Sequence, residues 1–227
     1  MPGYQLGDVP IAEALQARGC VVRPAAWNGP FEPFAEADLV VVRWTWGYSE
    51  GSGAFRAWLQ ALESVRGTVA NSPALMRWNT EKTYLLDLQE SGAPLPPTRL
   101  AAPDVASLAA AMDDLQLDEA VAKPVIGAGA IGLTVMRRED LASLERAVAA
   151  LRYDALVQPL IPEIRTLGET SITFFGGEFS HAVVKRPKQG SILVQAEHGG
   201  RTEPVTLTEG QLSVARSVLD LLPSPAV

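Results

Sequence analysis

A single lysine sits inside an apolar run, Ala120-Val121-Ala122-Lys123-Pro124-Val125-Ile126, followed by three glycines, Gly127, Gly129 and Gly132, and a second apolar run, Leu133-Thr134-Val135-Met136. A buried ammonium without a negative partner is too costly to keep, so Lys123 needs an anion. Glycines let backbone approach a ligand closely and leave N–H groups free to point at phosphate oxygens. Binding of a phosphate-bearing ligand is the chemistry these residues could support. The alternative is a strand-edge lysine whose head reaches water.

The glycines also fit the Gly-x-Gly-x-x-Gly fingerprint of nicotinamide and flavin enzymes. That motif needs a strand, a tight turn and then a helix, with an acidic residue about 20 positions on. Here a short β-like run follows the loop, and Glu163, the nearest candidate acid after a second strand, lies too far downstream. The spacing predicts strand, loop, strand, which disfavours an oxidoreductase.

Other polar residues fall into groups. Lys82 lies near the start of a helix after Pro73, where alone it reads as an ordinary solvated lysine. Gln158 precedes Pro159 at the end of an apolar strand, either as a plain strand end or as a hinge whose backbone groups are free. Glu163, Arg165, Glu169, Lys185, Arg186 and Lys188 surround a predicted hairpin; they are cross-strand pairs, or they hold a ribose, a metal and a phosphate. Gln195 to Arg201 form a second glycine loop, in which His198 is either a plain loop residue or a catalytic one. His181 is expected at a packed or half-exposed strand position. Trp44, Trp46 and Tyr48, beside Arg43, are either core or a substrate wall. Zinc spacings, a P-loop and a Gly-x-Ser-x-Gly elbow do not occur.

The elements that must position these residues alternate at first. Residues 1–97 read as helix to Arg18, a short strand at Val21-Val22, a strand at 39–42, a helix at 54–65, a strand at 68–70 and a helix at 79–90. Apolar strands alternating with amphipathic helices predict an α/β unit with a parallel sheet. The segment Ser91-Gly92-Ala93-Pro94-Leu95-Pro96-Pro97 cannot continue a helix and marks a boundary. An α+β part follows. Residues 98–161 carry a helix at 105–115, strands around Lys123 and Leu133, a helix at 138–151 and a strand at 155–160. Residues 162–227 carry a hairpin turning at Gly176-Gly177 and a helix at 208–222. The chain opens almost on a helix and stops just after one, so it is expected to be clipped at both ends.

The 227 residues, 47% hydrophobic and 20% charged, suit one large or two small domains. A net charge of −7 opposes broad nucleic-acid or anionic-membrane binding. No apolar run approaches the roughly 20 residues needed to span a bilayer, and no signal peptide is evident, so a cytoplasmic location is expected. The single Cys20 is expected to be a small buried thiol rather than a nucleophile.

In order, Asn79 to Lys82, Lys123-Pro124, the glycine loop, Val157-Gln158-Pro159, Gly168-Glu169, Lys185-Arg186 and Gly199-Gly200-Arg201 resemble an ATP-grasp ligase. The similarity is to the group related to prokaryotic glutathione synthetase and the cycloserine-pathway ATP-grasp ligase. The segments 43–48, 71–73, 77–88 and 178–187 carry it most specifically, and it covers nearly the whole chain. It implies an ATP-grasp fold with an N-terminal parallel-sheet pre-ATP-grasp domain (1–97, lacking its first strand), a small lid subdomain (98–161) and an incomplete core subdomain (162–227). The implied reaction is ATP-dependent ligation of a carboxylate to an amine through an acyl-phosphate. Lys82 and Lys123 would contact ATP, Gly127, Gly129 and Gly132 would form the closing loop, Gln158 and Leu160 the adenine hinge, and Glu163 would hold the ribose, with Glu169 also on the nucleotide side. Lys185 and Arg186 would face the transferred phosphoryl group, and Arg201 the substrate. The partners implied are a small-molecule carboxylate and amine; homo-oligomerisation stays open. Two departures stand out: the loop is more apolar than a serine-rich version, and the family's magnesium ligands are expected beyond Val227. Glu203, Glu209 and Asp220, in a turn and a helix, do not match that motif. The segment is expected to bind nucleotide weakly at best and not to turn over. A non-catalytic nucleotide-binding module is the second reading.

Overall fold

A computed structural model of the chain describes residues 6–223. It divides into two compact units, Met1–Arg77 and Trp78–Val227. The residues between Arg77 and the proline-rich segment therefore group with the second unit. Within that unit, the Gln89 side chain accepts the backbone N–H of Thr98 at 2.7 Å.

The first unit contains α1 (Val9–Gln16), α2 (Glu32–Ala35), β1 (Leu39–Val41), α3 (Ser52–Leu62) and β2 (Thr68–Ala70), and α4 (Pro73–Thr80) begins in it. β1 and β2 pair in parallel, Val40 opposite Val69. Along α3, Phe55, Trp58, Leu59 and Leu62 recur at helical spacing and are buried against Phe34 and Val40. The strand expected at Val21-Val22 does not form, and Val21 is 82% exposed. Two apolar residues are too short a run to define a strand by themselves. Cys20 is exposed rather than buried, because it precedes that unformed strand.

The second unit contains α5 (Tyr84–Glu90), β3 (Arg99–Ala101), α6 (Val105–Asp114), β4 (Glu119–Pro124), β5 (Thr134–Arg137), α7 (Leu141–Ala150), β6 (Ala155–Pro159), β7 (Glu169–Phe175), β8 (Glu178–Arg186), β9 (Arg201–Pro204) and α8 (Glu209–Leu219). One antiparallel sheet has the order β3-β6-β4-β5. Its inner face, with Ala120, Ala122, Met136 and Val157, packs on Leu108 and Met112 of α6 and Leu144 and Ala147 of α7. Side-chain caps set the helix starts: Asp104 accepts the Ser107 N–H at 2.8 Å, and Asp140 that of Ser143 at 3.2 Å, which begins α7 after Arg138. The other sheet, β7-β8-β9, turns at Gly176 and Gly177, both at positive φ.

Three expectations change here. The helix expected over 79–90 is interrupted between α4 and α5, because the Lys82 N–H donates to the Val125 carbonyl at 2.7 Å instead of to its own helix. Glu203 lies in β9 opposite Val184, not in a turn. His181 is exposed on β8 rather than packed, beside the Ser180 hydroxyl at 3.0 Å. No helix among the described residues is long and apolar enough to cross a membrane.

Candidate functional site

Lys123 lies on β4, a central strand of the sheet, paired with Leu156 of β6 just past the point where pairing with β5 ends at Ala122. The strand alternates, burying Ala120 and Ala122 against the helices and turning Val121 and Lys123 to the opposite face. In register with β6, Val121 faces Gln158 and Lys123 faces Leu156, so Lys123 and Gln158 share that face. The buried Gln158 amide donates to the Thr98 hydroxyl at 2.7 Å, which fixes its side chain and leaves the strand end after it to the backbone of Pro159 and Leu160.

Lys82 reaches the same region from the helix break. Its ammonium donates to the Gly127 carbonyl. Burial lowers the pKa of Lys82 below the ordinary lysine value, and the positive charge of Lys123 lowers it further. Lys123 is lowered by burial too, partly offset by the Glu169 carboxylate. Among the described residues the Lys123 ammonium makes no hydrogen bond and no direct ion pair. Two half-buried cations thus lie in each other's field, and the Glu169 carboxylate only partly offsets one of them.

Between β4 and β5 the glycine loop runs through Gly129 and Gly132 at φ +62° and +79°. It is folded by its own turns, Ile131 N–H to Ala128 at 3.2 Å and Leu133 N–H to Ala130 at 3.1 Å. At Gly132 an added Cβ would lie 3.1 Å from the Ala150 carbonyl and from Pro124, so a side chain there would be crowded as well as strained by the positive φ. The loop leads into β5, not a helix, and the dinucleotide fingerprint loses its structural context. The His198 ring meets the Gly129 carbonyl at 3.2 Å.

The other candidates cluster on the hairpin. Glu169 and Lys185 are register partners and ion-paired at 3.5 Å. Arg186 donates to the Thr166 and Leu167 carbonyls at 3.1 and 2.8 Å, and it stands opposite Arg201 in the β8–β9 register. Gly168, at φ +81°, passes so close to Lys185 that a Cβ would lie 2.4 Å from its carbonyl oxygen. Leu160 is half-buried after β6, whereas Glu163 is exposed in a short 3-10 helix and its carbonyl takes the Leu167 N–H at 2.7 Å. The structure therefore joins Lys82, Lys123, Gln158 and the loop, and links Glu169 to Lys123 by charge and to Lys185 by contact. The side chains of Glu163 and Arg201 make no hydrogen bond or ion pair with that group among the described residues. Thr98 went unnoticed in the sequence because a threonine after prolines carries no signal by itself.

In the first unit Trp44 and Trp46 are stacked, ring centroids 6.0 Å apart, and exposed at 49% and 60%, so they are not core; Tyr48 packs on Phe55. Asp8 accepts from both Arg43 and Trp44, at 2.7 and 3.0 Å, and braces this aromatic pair.

Residues 81–225 match the model of the prokaryotic glutathione synthetase ATP-grasp domain. The chain belongs to that ATP-grasp family. Residues 1–71 of this ATP-grasp protein match the N-terminal domain of D-cycloserine synthetase DcsG. Cycloserine biosynthesis protein DcsG of Streptomyces lavendulae is 31% identical over 183 residues, 78% of this chain and 61% of the relative. The chain thus spans about three fifths of that relative's length. The crystal structure of D-cycloserine synthetase DcsG superposes with a TM-score of 0.80 at 26% identity, covering 95% of this chain and 75% of that one. A RimK domain ATP-grasp protein from Sphaerobacter thermophilus shares the fold, with a TM-score of 0.67 at 17% identity over 99% and 81% of the two chains. The ATP-grasp fold expected from the sequence is the fold observed.

Proposed function

We propose that this chain supplies the nucleotide-binding part of an ATP-dependent carboxylate–amine ligase. One observation carries the reading: Lys82 and Lys123, each depressed by burial, lie in each other's field beside a glycine loop, and Lys123 has no ion pair among the described residues. Such a pair fits a triphosphate, whose charge relieves the repulsion that the fold otherwise carries. ATP bound there supplies the phosphoryl group that turns a carboxylate into an acyl-phosphate, which an amine then displaces.

The residues divide the work. Lys82 and Lys123 bind and neutralise phosphate oxygens, and the loop through Gly127, Gly129 and Gly132 covers them and excludes water. The β6 end at Gln158 and Leu160 offers backbone groups to the adenine, with Glu163 on the ribose. Glu169 orients Lys185 through their ion pair, and Lys185 and Arg186 face the phosphoryl group in flight. Arg201 meets the carboxylate substrate.

The test pairs binding with trapping. ATP with magnesium should raise the melting temperature where NAD does not, because only a ligand of the folded state stabilises it. With hydroxylamine as the amine and a panel of amino-acid carboxylates, the chain should form no hydroxamate, as expected of a part that binds nucleotide without turning it over. A shift with NAD alone would refute the reading.

A further inference from the structure

The glycine loop is tied down at two carbonyls by side chains from two other elements. Lys82 holds Gly127, and His198, half-buried in a short 3-10 helix before β9, meets Gly129 at 3.2 Å. A carbonyl oxygen only accepts, so the His198 Nε2 carries the proton in this contact. The loop offers His198 no ionisable partner, being built of alanine, glycine and isoleucine. Glu197 fits beside the loop for a related reason: a Cβ on Gly129 would lie 3.4 Å from its carboxylate oxygen, against a backbone already at positive φ. The turn carrying His198 is itself fixed, since the Gln195 carbonyl accepts the N–H groups of His198 and Gly200 at 3.0 and 3.1 Å. At Gly200 a Cβ would lie 2.0 Å from the Val194 carbonyl, so only glycine fits there.

The two ties differ in what a nucleotide does to them. Lys82 belongs to the proposed phosphate site, so a bound triphosphate competes with Gly127 for its ammonium. His198 lies outside the residues assigned to the phosphates. We propose that His198 is the positioning residue of this lid: it keeps the Gly129 carbonyl, and with it the loop, in place when phosphate draws Lys82 away from Gly127. This inference rests on the nucleotide-site reading above, yet the tie itself exists without nucleotide.

Hydrogen exchange separates the two. In the free protein the Ile131 and Leu133 amides, which close the loop's own turns, should exchange several-fold faster in His198→Ala than in wild type, with the β7–β8 hairpin unchanged. His198→Gln, which keeps an N–H donor, should restore protection. Calorimetry with AMP-PNP should show His198→Ala binding about three- to tenfold more weakly, the loss expected for one hydrogen bond, and His198→Gln binding nearly as wild type. Wild-type exchange at Ile131 and Leu133 in His198→Ala, or failure of glutamine to rescue, would overturn the assignment. A wild-type protein that binds no AMP-PNP overturns the nucleotide site, while the exchange comparison still decides the tie.

Discussion

The backbone N–H of Lys82 donates to the carbonyl of Val125 at 2.7 Å, which joins the start of α5 to the strand end that opens the glycine loop. This bond breaks the helical ladder, and it brings the Lys82 side chain within the field of Lys123. The site is therefore a product of one interruption in regular structure.

Replacing Lys123 by methionine should separate stability from binding. Removing an unpaired half-buried charge while keeping apolar volume is expected to leave stability unchanged or raise it slightly. The same variant should lose the ATP-induced rise in melting temperature. Urea unfolding and thermal shift on one preparation check both.

The pH dependence has a defined sign. Both lysines titrate below their ordinary 10.5 in the folded state, so over that interval the unfolded chain binds more protons. Stability should therefore rise with pH between the depressed folded values and about 10.5, and be lowest below them. Tyr84 works oppositely, since burial raises its phenol above 10.0 and stability falls as pH climbs past that value. Subtracting the profile of a Lys82→Met, Lys123→Met double variant isolates the lysines; no difference between profiles would refute the assignment.

Gly168→Ala should unfold the hairpin edge more readily. The new Cβ would meet the Lys185 carbonyl at 2.4 Å from a backbone at φ +81°. Strain and overlap together should cost about 2 kcal/mol or more. Chemical denaturation measures it, and an unchanged midpoint would contradict the close approach.

Thr98→Val removes the buried acceptor of the Gln158 amide while keeping the shape. Leaving that donor unpaired should cost about 1–3 kcal/mol. Nucleotide affinity should fall too if the β6 end forms the hinge, which calorimetry would show.

Much of this was legible in the residues. The apolar run holding Lys123, the short β-like run after the loop and the Gly176-Gly177 pair each had a local physical cause, and strand, loop, strand and hairpin followed. What the chain hid was tertiary. The break at Lys82 is made by a carbonyl far along the chain, β3 and β9 exist only because β6 and β8 offer edges, and Cys20 is exposed beside a run of two apolar residues too short to define a strand. Among the site residues, Lys82, Lys123 and the loop came together as the pattern required. His198 was left between two readings because its contact with Gly129 joins distant segments.

Arg186 and Arg201 stand directly across from each other on β8 and β9. Like charges in that position repel, so the outermost strand is attached against its own electrostatics, with Arg186 drawn aside to the Thr166 and Leu167 carbonyls. Added salt, which weakens ordinary surface ion pairs, should tighten this edge instead. An anion docked between the two guanidinium groups would do the same, so ligand arrival and strand attachment become one event.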